Sequence, residues 1–122
     1  MPERLPDLVN IDAALTHCGR YVTATMLLDL GDASYLVHIQ EGRIIAVEPK
    51  GRVMPVWTFA LRAPREEWDQ FWAPRPAPGS HDIMALMRRQ VMTAEGDLHP
   101  FMANLRYFKD VLATLRRKEG TR

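Results

Sequence analysis

The chain has 122 residues, one domain's worth, and a domain of that size buries about two thirds of its unfolded surface without a metal or disulfide framework. Apolar residues make up 47% and charged residues 25%, which excludes a disordered tail or a collagen-like rod. The 16 basic and 15 acidic residues leave a net charge of +1, so no nucleic-acid partner is expected.

Cys18 is the only cysteine, which excludes an internal disulfide and a multi-cysteine zinc site. It reads as a small, partly buried apolar residue. The start, Met1 to Pro6, has no apolar run of signal-peptide type, and no apolar run approaches the ~20 residues needed to cross a bilayer. The expectation is a cytoplasmic protein without integral membrane association. It reads as a single domain over 1–122, with a short segment at 1–20 and a Pro-rich loop at 73–80.

Residues 7–19 suggest a short helix capped by Asn10 or Asp12 and ending near Gly19. From Tyr21 the period becomes two. Val22, Ala24, Met26, Leu28 and Leu30 share one face, and Tyr21, Thr23, Thr25 and Asp29 the other. After the Gly31–Asp32 turn, Tyr35, Val37 and Ile39 alternate with His38 and Gln40. Glu41–Gly42 then turns the chain into a third strand, Arg43 to Val47, forming a hairpin. Pro49, Gly51 and Pro55 bracket a longer connection. A fourth strand is expected at about Val56–Leu61, with Trp57, Phe59 and Leu61 on one face. Four strands with short links suggest an antiparallel meander.

The period changes after Ala63. Pro64, Glu66 and Glu67 suit a helix start, and Trp68, Phe71 and Trp72 share one helical face. Beyond the Pro-rich loop, Ser80 is the expected cap of a helix over 81–91. A short strand near Val91–Glu95 follows. Asp97 then caps a last helix whose stripe is Leu98, Phe101, Met102, Leu105, Phe108, Leu112 and Leu115. Arg116, Arg117 and Lys118 suit its C-terminal end. The order ββββ-α-α-β-α predicts an α+β domain.

Catalytic and metal chemistry find little support. His17, His38, His81 and His99 lack the i, i+4 spacing of a helical zinc pair, and no HExxH is present, so neither a metal nor a cofactor is expected. His81–Asp82 and His99 lie near expected helix starts, where an imidazole stays neutral and basic. Polar residues are common in first helical turns, however, and there is no Gly-x-Ser-x-Gly elbow. No catalytic residue is assigned. The seven Met, three Trp and four Phe concentrate in the fourth strand and the helices. The 81–91 helix is apolar around more of its circumference than one packing face needs, so a ligand or a partner subunit is expected against it.

The stretch Tyr35-Leu36-Val37-His38-Ile39-Gln40-Glu41-Gly42-Arg43-Ile44 resembles the strand–turn–strand of sterol-carrier-protein type 2 domains. Trp57-Thr58-Phe59-Ala60-Leu61, the Glu66-Glu67-Trp68 helix start and Gly96-Asp97 before the last helix extend the resemblance over about 21–117. The resemblance implies a mostly antiparallel five-stranded sheet covered on one face by helices. It also implies an apolar cavity for a sterol, a fatty acyl group or a similar lipid. Domains of this kind are carriers without catalytic residues. The ligand is expected between the sheet and the helices at 64–72, 81–91 and 97–117. Trp57, Phe59, Trp68, Phe71, Met84, Met87, Phe101, Leu105 and Phe108 are the candidate contacts. Two alternatives stand beside the carrier: a small enzyme acting on a steroid- or polyketide-like substrate, and a ligand-free interaction module forming a homodimer.

Overall fold

The alternation over 22–47 is realised as three antiparallel strands: β1 (Ala24–Asp29), β2 (Ser34–Gln40) and β3 (Arg43–Pro49). The structure is a computed structural model and describes residues 2–50 and 56–116. Val22, Ala24, Met26, Leu28 and Leu30 are all buried, as their period requires. The hairpin between β2 and β3 turns on Glu41 (φ 51°) and Gly42 (φ 82°), the two positive φ values of a type I′ turn. Gly51 and Pro55 lie outside the described residues, as do Arg117 and Lys118.

The meander ends at β3. The next strand, β4 (Phe59–Arg62), crosses to the far side of β1 and pairs with it in parallel, Met26 opposite Phe59. β5 (Thr93–Gly96) pairs antiparallel with β4, giving the order β3-β2-β1-β4-β5. The sheet is thus mostly antiparallel with one parallel pair. Trp57 precedes β4 and does not share the face of Phe59. It packs with Leu27, Leu36 and Ala60 on the side of the sheet away from the helices. Strand alternation does not extend to a residue outside the strand.

Among the described residues, six short helices complete the domain. A 3₁₀ turn at Pro2–Arg4 leads into α1 (Leu5–Val9), followed by α2 (Ala13–Cys18), whose N-cap Asp12 accepts from Leu15 N. Asn10, between them, bonds β3 through its side-chain amide: Nδ2 donates to Ile44 O and Oδ1 accepts from Ile44 N, both at 2.8 Å. α3 (Arg65–Phe71) starts after Pro64. α4 (Ile83–Arg88) is shorter than its apolar pattern and is capped by Asp82, not Ser80. Ser80 is buried and donates to Gln70 Oε1.

The expected last helix is two, α5 (His99–Ala103) and α6 (Leu105–Ala113). Asn104 breaks it: its side chain donates to Pro100 O at 3.0 Å, taking the carbonyl that an unbroken helix would offer to the Asn104 N–H. Cys18 is exposed, not partly buried. Of the expected stripe, Phe101, Phe108, Leu112 and Leu115 are buried while Met102 is exposed. Tyr107 and Val111 take up the remaining core positions.

Asp82 joins two helices, because Oδ1 caps α4 and Oδ2 accepts from Lys109 Nζ of α6 at 3.0 Å. Burial alone would raise its carboxyl. The Lys109 ammonium and the Met84 N–H outweigh burial and hold it below the usual aspartate range. A depressed folded pKa means that the unfolded chain protonates first. The stabilisation is complete above about pH 4 and drains away as pH falls through the folded value. Asp82→Ala is expected to cost about 1–2 kcal/mol in urea unfolding at pH 7 and less at pH 3.

Candidate functional site

The helices lie against one face of the sheet, and an aromatic layer fills the interface. Phe59 from β4, Phe101 from α5 and Phe108 from α6 meet with ring centroids 5.1–5.7 Å apart, and the Phe59–Phe108 pair is edge-on. Trp68 stacks on Trp72 at 5.1 Å, and Phe71 stands edge-on to Trp68. All six rings are buried. Each indole N–H donates to a backbone carbonyl, Trp68 to Asp29 and Trp72 to Leu112. Neither polar atom is stranded in the apolar layer. Tyr107 continues it toward the β2–β3 turn, where its hydroxyl donates to Gly42 O at 2.7 Å. Burial pushes the phenol far above its ordinary value, so it stays neutral and donating.

Of the nine candidate contacts, Phe59, Trp68, Phe71, Phe101 and Phe108 stand together in this layer and fill it with their own rings. Met87 and Leu105 are half-buried at its margin, with Val91 and Leu98 beside them in the same apolar cluster. Met84 is half-buried on α4, while Ile83 and Leu86 point fully into the core. Trp57 lies on the other side of the sheet. Leu105 also lines an open cleft of about 390 Å³ with Arg106, Lys109 and Asp110. The sequence pattern puts Trp72 on the helical face of Trp68 and Phe71, as the structure does, although it was not among the candidate contacts. Tyr107 was in neither the expected stripe nor the candidate contacts.

Polar groups surround the layer without entering it. Arg62 pairs with Asp29 at 2.8 Å and with Glu95, bracing the ends of β1, β4 and β5. Arg116 lies over the Phe71 ring and donates to the Phe71 and His81 carbonyls, tying the ends of α3 and α6 to the approach to α4. His81 and His99 are both exposed. His81 Nδ1 accepts from Gly79 N, and the neighbouring Asp82 carboxylate is engaged with Met84 and Lys109. Among the described residues no group of three or more His, Cys, Asp or Glu side chains is placed to hold a metal ion. No helix among them is long and apolar enough to cross a membrane.

No protein-family model and no curated protein matches the sequence. Solved structures do. The chain superposes on sterol carrier protein 2 with a TM-score of 0.76 at 9% identity, covering 96% of this chain and 94% of that one. Sterol carrier protein 2 from Yarrowia lipolytica, in its apo form, matches with a TM-score of 0.58 at 10% identity, over 96% and 90% of the two chains. A ubiquinone synthesis protein, UbiJ-SCP2, matches with a TM-score of 0.58 at 14% identity, over 88% and 85%. The superposition spans nearly the whole of both chains, and this chain has the fold of sterol carrier protein 2.

Proposed function

We propose that the protein carries a lipid-like apolar ligand, a fatty acyl group, a sterol or a similar molecule, in a non-catalytic site between the sheet and the helices. The observation that carries this reading is the aromatic layer under short helices, in a fold shared with sterol carrier protein 2. Seven-residue α3 and six-residue α4 are separated by the Pro-rich segment, so each can shift with few broken backbone bonds. The half-buried margin of Met84, Met87, Leu98 and Leu105 is the entry. Methionine side chains adapt there to varied apolar shapes. The ligand parts the helices from the sheet and replaces ring–ring contacts with ring–chain contacts.

The test is saturable binding of a fluorescent fatty acid or sterol to the purified chain. Micromolar affinity is expected, on the order of −8 kcal/mol. Absence of saturable binding across fatty acids, acyl thioesters and sterols overturns the carrier reading. Met87→Trp locates the site. A position at the edge of a ligand space accepts the added volume, so long-chain binding is expected to weaken while thermal stability stays near that of the parent. A stability loss of about 1–3 kcal/mol with unchanged affinity would instead place Met87 in close-packed core.

A further inference from the structure

On the face of the sheet turned away from the helices, three side chains from three adjacent strands form a hydrogen-bonded line. Glu48 Oε1 of β3 stands 2.9 Å from His38 Nε2 of β2, and His38 Nδ1 stands 3.3 Å from Thr25 Oγ1 of β1. A carboxylate acceptor favours the tautomer with the proton on Nε2, and in that tautomer the Nδ1 lone pair faces the threonine hydroxyl. Thr25 and His38 line an open cleft of about 370 Å³ with Thr23, Gln40, Ile45 and Thr58. Two of these hydroxyls are fixed by backbone donors: Thr58 Oγ1 accepts from Thr25 N at 3.1 Å and Thr23 Oγ1 from Glu41 N at 3.2 Å. Each keeps its own O–H, and among the described residues neither has an acceptor for it. Gln40 is exposed and its amide is likewise unengaged among them.

We propose that this cleft is a second functional site, an acyl-transfer centre that hydrolyses small carboxylic esters. Thr25 is the nucleophile, His38 the general base and then acid, and Glu48 the group that orients the imidazole. These roles are recognised by geometry and chemistry, in whatever order the residues occur along the chain. Thr25 Oγ1 forms a bond to the ester carbonyl carbon while its proton passes to His38 Nδ1. The Thr58 hydroxyl and the Gln40 amide are the donors available to the carbonyl oxygen as it gains charge. Collapse breaks the bond to the alkoxy oxygen, which leaves as the alcohol with the proton from His38. Water then adds to the acyl-Thr25 ester, giving its proton to His38. Collapse of that intermediate breaks the bond to Thr25 Oγ1, which recovers the proton, and the carboxylic acid departs. No oxidant or metal enters the balance. An open cleft of this volume suits a short acyl group, with Ile45 as its apolar wall.

The site lies on the opposite face from the aromatic layer, so it stands or falls independently of the carrier reading. The test is hydrolysis of p-nitrophenyl acetate by the full chain, read as p-nitrophenolate release, with intact-protein and peptide mass spectrometry after a brief exposure. Saturable turnover is expected, with an acetyl group trapped on the peptide that holds Thr25. Thr25→Val and His38→Gln are each expected to lower kcat/KM by about 100-fold, while Thr25→Ser, which restores a hydroxyl, retains most of it. Glu48→Gln is expected to lower kcat by about 10-fold or more with KM little changed. All four substitutions lie on the face away from the main core, and their thermal unfolding is measured alongside to confirm folding. A rate no greater than that of equimolar free imidazole, or a Thr25→Val rate equal to that of the parent, overturns the proposal.

Discussion

Phe108→Ala is expected to be the most destabilising single truncation in the helix layer, at about 3–5 kcal/mol by urea unfolding. The Phe108 ring is fully buried and touches Phe59, Phe101 and Tyr107, with centroids 5.1–5.7 Å away. Removing it deletes apolar surface and leaves a void that three rigid rings cannot collapse to fill. The carrier reading adds a second expectation. A ligand that enters the same layer should bind the truncated protein at least as well as the parent, because the space is already open. A saturating fatty acid should then recover part of the loss, about 2.7 kcal/mol at a free concentration one hundred times its dissociation constant. Fatty acid that leaves the unfolding midpoint of the variant unmoved would count against ligand entry at this point of the layer.

Gly42→Ala is expected to cost about 2–4 kcal/mol, an unusually large effect for one added methyl group. Two penalties combine. The backbone there has φ +82°, where a side chain costs about 1–2 kcal/mol. A Cβ would also sit 2.6 Å from Thr16 O and 2.7 Å from the Gly19 backbone, and these atoms cannot rotate away. The α2 terminus must therefore lift from the hairpin. That movement disturbs the Gly42 carbonyl, which accepts from the Tyr107 hydroxyl, and so reaches α6. Thermal unfolding checks the magnitude. A companion Tyr107→Phe variant, expected to lose about 1–2 kcal/mol, measures how much of it passes through that bond.

What could be read from the residues follows from what is local. The strands at 24–47 were legible because one residue decides one face, and the Glu41–Gly42 turn set their register. The parallel pairing of β1 with β4 was not, because it joins segments more than thirty residues apart and depends on which side of β1 the returning chain takes. Trp57 was misplaced for a related reason: alternation was carried two residues beyond the strand that supports it. The break at Asn104 turns on a side chain competing with the helix for one carbonyl, which an apolar stripe does not reveal. Phe59, Phe101 and Phe108 were legible as partners because their periods put them on inward faces. The line of Thr25, His38 and Glu48 was not: Thr25 and His38 read as outward-facing strand residues, Glu48 lay beyond the expected third strand, and the bulge between β2 and β3 that brings them to one face leaves no mark in the pattern.

The amide of Asn10 has a consequence for life at high concentration. β3 is an edge of the sheet, and an edge strand offers free backbone groups to any extended chain that drifts past. At Ile44 both groups are already occupied, by a side chain that imitates one rung of a neighbouring strand, and α1 lies along the same edge. A foreign strand adding there would have to dislodge the amide and the helix before gaining its first rung. The opposite border, β5, has only four residues to offer. Replacing Asn10 by Ala should thus show itself less in the melting of the folded molecule than in its shelf life. Such a variant is expected to pass sooner into fibrillar, thioflavin-positive material on prolonged agitation.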